Sequence, residues 1–109
     1  MIVAFSVSPG GGQSDSVAEA VAEAVRVVRD SGLPNETNSM FTLVEGEWDE
    51  VMDVVKRATE VVQAVAPRVA LVLKADIRPG HTGQLKAKVD RIEERLAQAS
   101  SEPDVKDLR

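Results

Sequence analysis

Along the chain, short alternating apolar runs are separated by longer stretches whose apolar residues recur every three or four positions. Ile2 to Ser8 alternates. Val3, Phe5 and Val7 fall on one side and Ile2, Ala4, Ser6 and Ser8 on the other, which predicts a half-buried strand. Pro9-Gly10-Gly11-Gly12 predicts a loop, and Ser16 with Glu19 has the S-x-x-E spacing of a capping box. Val17, Val21, Ala24, Val25 and Val28 then repeat at helical spacing, with Glu23 and Arg26 among the solvated charges. Gly32 suits the position just past the helix end, and Leu33-Pro34 stops it. Valines are poor helix formers, so this helix depends on tertiary packing.

The segment from Asn35 to Met52 is the most distinctive. It reads as two short strands, about Glu36–Asn38 and Phe41–Glu45, meeting near Ser39 and closed by Gly46. Glu47-Trp48-Asp49-Glu50 opens a second helix, its acidic first turn matched to the positive end of the helix dipole. That helix is expected to run to about Val65, burying Trp48, Val51, Met52, Val55, Ala58 and Val62, before Pro67 closes it. Arg68 to Ile77 is the last strand, Arg78-Pro79-Gly80 turns the chain, and Leu85, Val89, Ile92 and Leu96 stripe a third helix. Residues 1–98 form the expected domain, and from about Ala99 the polar tail is expected to be mobile.

The order β-α-β-β-α-β plus a C-terminal helix predicts an α+β, ferredoxin-like sandwich. Right-handed crossovers place the first two helices on one face of a four-stranded antiparallel sheet. Parity predicts the other face: Ala4, Ser6 and Ser8; Met40, Thr42 and Val44; Ala70, Val72, Lys74 and Asp76. Leu71, Leu73 and Ile77 are expected to face the helices. The open face carries too little charge to be freely solvated. Sheet-on-sheet stacking against another subunit, about 10 Å away, is the expected remedy.

Composition narrows the chemistry. At 109 residues the chain is one domain with a thin margin of stability, for which oligomerisation is a supplement. Without Cys there is no disulfide, thiolate metal site or Cys nucleophile, and the single His81 excludes a multi-histidine site within one chain. Eighteen acids against 13 bases, a net charge of −5, argue against nucleic acid as a partner. No stretch approaches the roughly 18 apolar residues of a membrane span, and the start lacks a basic n-region, so a cytoplasmic location is expected.

Few residues suggest a site. Pro9 to Gly12 precedes a helix, but without the Lys-Ser/Thr of a phosphate loop it reads as a connection. Glu45, Glu47, Asp49 and Glu50 lack the spacing of a calcium loop and read as dipole complement and solvated charge. His81, in Gly80-His81-Thr82-Gly83, has the chemistry of a general base but no visible nucleophile beside it. Lys74 and Asp76 interrupt an apolar strand on one face, as an ion pair or as part of a pocket.

The runs Val3-Ala4-Phe5-Ser6-Val7-Ser8-Pro9, Ser31-Gly32-Leu33-Pro34, Met40 through Met52 and Arg68 through Asp76 resemble the small thiamine-binding protein family. The Glu45-Gly46-Glu47-Trp48-Asp49-Glu50-Val51 run is the most specific, and the likeness covers about residues 1 to 97. Ser39 and Phe41 depart from it, where many members carry Pro and Gly. The resemblance implies a ferredoxin-like domain that assembles into dimers or tetramers through its sheets. It also implies reversible, non-enzymatic binding of thiamine or its hydroxymethylpyrimidine moiety at a subunit interface, as carrier or sensor, with no resident cofactor or metal. On the residues present, Met40 and Phe41 would supply an apolar platform for the pyrimidine. Thr37, Asn38, Thr42, Ser6 and Ser8 would read its edge, with Lys74 and Asp76 as charged partners.

Two other classes remain open at this level, and a third is rejected. One is a small ferredoxin-like enzyme using His81, Lys74 and Asp76, and another a ligand-free structural or regulatory oligomer. RNA recognition shares the strand order but needs aromatics on the open face, where strand one offers Ala4, Ser6 and Ser8.

Overall fold

A computed structural model describes residues 1–10 and 14–101, apart from the side chains at 14–17, 100 and 101. Its elements are β1 (Ile2–Gly10), α1 (Ser14–Asp30), β2 (Asn35–Thr37), β3 (Thr42–Glu45), α2 (Trp48–Gln63), β4 (Arg68–Asp76) and α3 (Gln84–Ser101). The strands form one sheet in the order β2-β3-β1-β4, every neighbouring pair antiparallel. This is the expected α+β ferredoxin-like arrangement.

Alternation in β1 sorts the core. Val3 and Phe5 point toward α1 and α2 and join Val44, Ala20, Ala24, Val28, Val51, Val54, Val55, Ala58 and Val62 in one buried cluster. The first strand is longer than expected, because Pro9 and Gly10 pair with Val69 and Arg68 of β4 instead of starting a loop. The β3 ladder ends at Phe5, so Pro9 lies where β1 has a neighbour on one side only, a position a strand proline tolerates. After α1, Gly32 adopts φ +82°, the left-handed conformation expected of the helix stop. The capping box expected at Ser16 and Glu19 falls partly on a side chain outside the described residues.

In α2, Glu47 is the N-cap, and its backbone N–H donates to the Glu50 carboxylate at 3.1 Å. The buried stripe runs through Val51, Val54, Val55, Ala58 and Val62. Trp48 does not belong to it: at 56% exposure it overhangs the core beside the turn of residues 78–82. Met52 is only half-buried, its place on the inner face being taken by Val54. The helical spacing is right, but in the first turn only Val51 reaches the core, while Trp48 lies against the turn of residues 78–82.

The register overturns part of the expected open face. Directly paired residues share a face, and Val3 pairs with Val44 while Phe5 pairs with Thr42. Thr42 and Val44 therefore face the helices, Val44 with no exposure at all. Thr37, opposite Thr42, follows them. The open face of this half of the sheet is built from Glu36, Leu43 and Glu45. Sequence alternation fixes which residues share a side but not which side, and an offset of one residue exchanges the two. Met40 lies on neither face; it sits in the β2–β3 turn, 72% exposed. On β4 the parity holds, with Ala70, Val72, Lys74 and Asp76 opposite Ser8, Ser6, Ala4 and Ile2. Ile77 lies past the strand end and is exposed instead of facing the helices.

The third helix runs along the open side. Leu85 is nearly buried, whereas Val89, Ile92 and Leu96 are each at least half exposed. Only the first part of an element about 27 Å long therefore packs on its own chain. It continues to Ser101, past Ala99, the expected start of the tail, and residues 102–109 lie outside the described residues.

Candidate functional site

What holds α3 over the sheet is Glu45, the last residue of β3. Its carboxylate accepts hydrogen bonds from the backbone N–H groups of Gln84, at 2.9 Å, and Leu85, at 3.1 Å. The first backbone donors of a helix have no intrahelical partner, and a carboxylate there also meets the positive end of the dipole. Glu45 is 5% exposed, yet its charge is satisfied. The chain reaches this point through a tight turn in which Pro79 precedes Gly80 at φ +79°, closed by His81 N–H donating to the Arg78 carbonyl at 3.2 Å. The acidic cluster thus divides: Glu45 caps α3, while Asp49 and Glu50 occupy the first turn of α2. Among the described residues no group of three or more His, Asp or Glu is arranged to hold a metal ion.

Docking of α3 creates a cleft of about 260 Å³ between helix and sheet. Ile2, Ala4 and Leu43 form its floor, Leu85 and Val89 its apolar wall, and Glu36, Lys74, Asp76, Gln84 and Lys88 its polar edge. Apolar surface with a few convergent polar groups is the usual make-up of a small-molecule site, although this one is small for a drug-sized ligand. Lys88 reaches from α3 to pair with the Asp76 carboxylate. The Lys88 hydrogen bond and charge hold Asp76 below the usual carboxylate range, helped by Arg78 and the N-terminal amine against a smaller opposing effect of desolvation.

The lowered Asp76 value sets the sign of a pH effect. Its pairing contributes fully above the ordinary carboxylate pKa and is lost as pH falls through the lowered folded value. Asp76→Asn is therefore expected to destabilise the protein at neutral pH and to match wild type at acid pH. Urea unfolding of both proteins across that range checks it, and a difference that persists at the acid end would refute it.

Of the residues the sequence nominated, the cleft gathers Lys74 and Asp76. Ser6, opposite Val72, lies one row beyond it, and Ser8, opposite Ala70, two rows beyond. Thr37 and Thr42 face away from it. Asn38 is committed to its own turn, its side-chain oxygen accepting from the N–H groups of Met40 and Phe41 at 2.8 Å each. Met40 and Phe41 belong to that same turn and do not line the cleft. His81 borders a separate hollow of about 250 Å³ with Trp48, Ile77, Arg78 and Pro79. It shares with Asp76 only a void of about 10 Å³, which Lys74 does not line. Sequence reasoning missed Glu36, Leu43, Gln84 and Lys88. Glu36 carried a signal as a charge on a short strand; Gln84 and Lys88 enter only because α3 folds back.

The strand order and the antiparallel sheet with its helices define a ferredoxin-like α+β domain. The match to a family model is more specific: residues 3–93 match the family described as thiamine-binding protein. The chain belongs to that family. It is 56% identical over 97 residues to a UPF0045 protein of Mycobacterium bovis, covering 88% of this chain and 94% of that one. Among solved structures, a hypothetical protein of Methanocaldococcus jannaschii superposes with a TM-score of 0.74 at 32% identity, covering 85% of this chain and 95% of that one. A Thermotoga maritima protein named for thiamine biosynthesis/salvage superposes with a TM-score of 0.71 at 27% identity, covering 84% and 96%. No helix among the described residues is long and apolar enough to cross a membrane.

Proposed function

We propose that this protein binds thiamine or its hydroxymethylpyrimidine moiety reversibly in the cleft beneath α3, without catalysing a reaction, as a cytoplasmic carrier or sensor. The observation that carries the proposal is the cleft itself: an apolar floor edged by two acids and two lysines, in a chain of the thiamine-binding protein family. Ile2, Ala4 and Leu43 offer a flat surface to a ring, and the polar edge offers donors and acceptors to its periphery. Micromolar affinity requires about 8 kcal/mol, more than one open cleft readily supplies. A second copy stacked on the open face would complete the enclosure, giving a homodimer or tetramer with the ligand at a subunit interface. Exposed Val72, Val89, Ile92 and Leu96 on that side support such a cover.

Titration calorimetry of the purified full chain with thiamine, thiamine diphosphate and hydroxymethylpyrimidine tests this. Saturable heat with at least one is expected. Silence with all three, together with no thermal shift, would remove the proposal.

A further inference from the structure

The cleft has a polarity that its balanced charge conceals. Cross-strand pairing sets Glu36 opposite Leu43, Leu43 opposite Ala4, and Ala4 opposite Lys74, forming one row across all four strands. Three strand spacings separate the ends of that row, about 14 Å between Cα atoms. In the adjoining row the charges are already used: Asp76 pairs with Lys88, and Glu45 accepts from the start of α3. Among the described residues, neither Glu36 nor Lys74 has an ion-pair partner. What remains uncompensated is one carboxylate at the β2 end and one ammonium at the β4 end, with an apolar floor between them.

Resting on the thiamine-class reading of this cleft, we infer that the row orients its ligand. The cationic ring lies toward β2 with Glu36 as its counter-charge. The neutral pyrimidine lies toward β4, where the Lys74 ammonium donates to a ring nitrogen. The reverse placement sets a quaternary ring against Lys74 and leaves Glu36 facing a ring with no positive charge. Glu36 is thus a specificity-determining residue that distinguishes the whole cationic ligand from its neutral fragment, whereas Lys74 serves both. Burial alone would treat the two ligands by area, and only a charge at a fixed end separates them.

The test is calorimetric titration of the full chain, as wild type, Glu36→Gln, Glu36→Lys and Lys74→Met, with thiamine and separately with hydroxymethylpyrimidine. Glu36 and Lys74 are both exposed, so the variants retain the fold. Glu36→Gln is expected to weaken thiamine about three- to fivefold, the upper range for an exposed ion pair. Glu36→Lys is expected to weaken it about tenfold or more, and both variants should leave hydroxymethylpyrimidine within about twofold of wild type. Lys74→Met should weaken both ligands by a similar factor. Equal losses for both ligands in the Glu36 variants, no loss for either, or a Lys74→Met protein that binds hydroxymethylpyrimidine normally would overturn the orientation. Wild-type protein that binds neither ligand would overturn the thiamine reading and this inference with it, a result visible before any variant is made.

Discussion

Phe5→Ala is expected to lower the free energy of unfolding by about 3–5 kcal/mol, as truncating a buried phenylalanine does. Phe5 is 3% exposed in the middle of β1, the strand bonded to both β3 and β4. Its ring lies in the cluster formed with α1 and α2, and most of the neighbours are valine or alanine. Short, branched side chains have little reach to refill the space, so the cavity term adds nearly in full to the lost transfer term. Against a total of roughly 5–15 kcal/mol for a domain, that loss dominates, and a fall in Tm of about 12 °C or more follows. Urea unfolding followed by circular dichroism measures it. A loss under about 1.5 kcal/mol would mean that the core is packed differently. Ser8→Ala, on the exposed end of the open face, is the matched control and should stay within about 0.5 kcal/mol of wild type.

Glu45→Ala acts locally. It strips the Gln84 and Leu85 N–H groups of the carboxylate that both bond. Losing charge-assisted hydrogen bonds of this kind costs about 1–3 kcal/mol, and the cost falls on the docking of α3. Amide exchange at Gln84 and Leu85 is expected to accelerate about tenfold or more, following the conversion of 1.4 kcal/mol to a factor of ten, while Val3 and Val44 keep their slow exchange. Ligand affinity should fall with it, because α3 supplies one wall of the cleft. Glu45→Gln retains an oxygen acceptor and should fall between the two. Unchanged exchange at Gln84 and Leu85 in the alanine variant would show that Glu45 does not hold the helix.

The periodic parts of the fold were legible in the sequence because their causes are local. Alternation in β1, the helical spacing from Val51 to Val62, and the stops at Gly32 and Pro67 each report a backbone conformation that neighbouring residues determine. The candidate site was less legible because its geometry is made by pairing. Thr42 and Leu43 are adjacent, and nothing local decides which of them faces the helices; the Phe5–Thr42 register decides it. Asn38, Met40 and Phe41 looked like ligand groups because they are polar or large in a distinctive segment, but the Asn38 side chain closes its own turn. Lys74 and Asp76, which line the cleft, stood out because a charge inside an apolar strand is anomalous at the sequence level. Lys88 was not, because a lysine on a helix is ordinary until the helix folds back on Asp76.

The row from Glu36 to Lys74 also bears on how faithfully the sheet assembles. Slipping β4 by one residue against β1 would turn Lys74 toward Val3 and Phe5, and slipping β2 would turn Glu36 toward the same interior. Those inward positions on the two edge strands are only partly covered, Leu73 being 36% exposed, so a misplaced charge there would displace apolar contacts without being sealed from water. The correctly aligned sheet keeps both charges in water. A nine-residue edge strand as apolar as β4 is otherwise permissive of misalignment. The charges at the two ends of the cleft therefore add only a mild preference for the aligned pairing, and Glu36→Gln and Lys74→Met are expected to fold and melt much as wild type does.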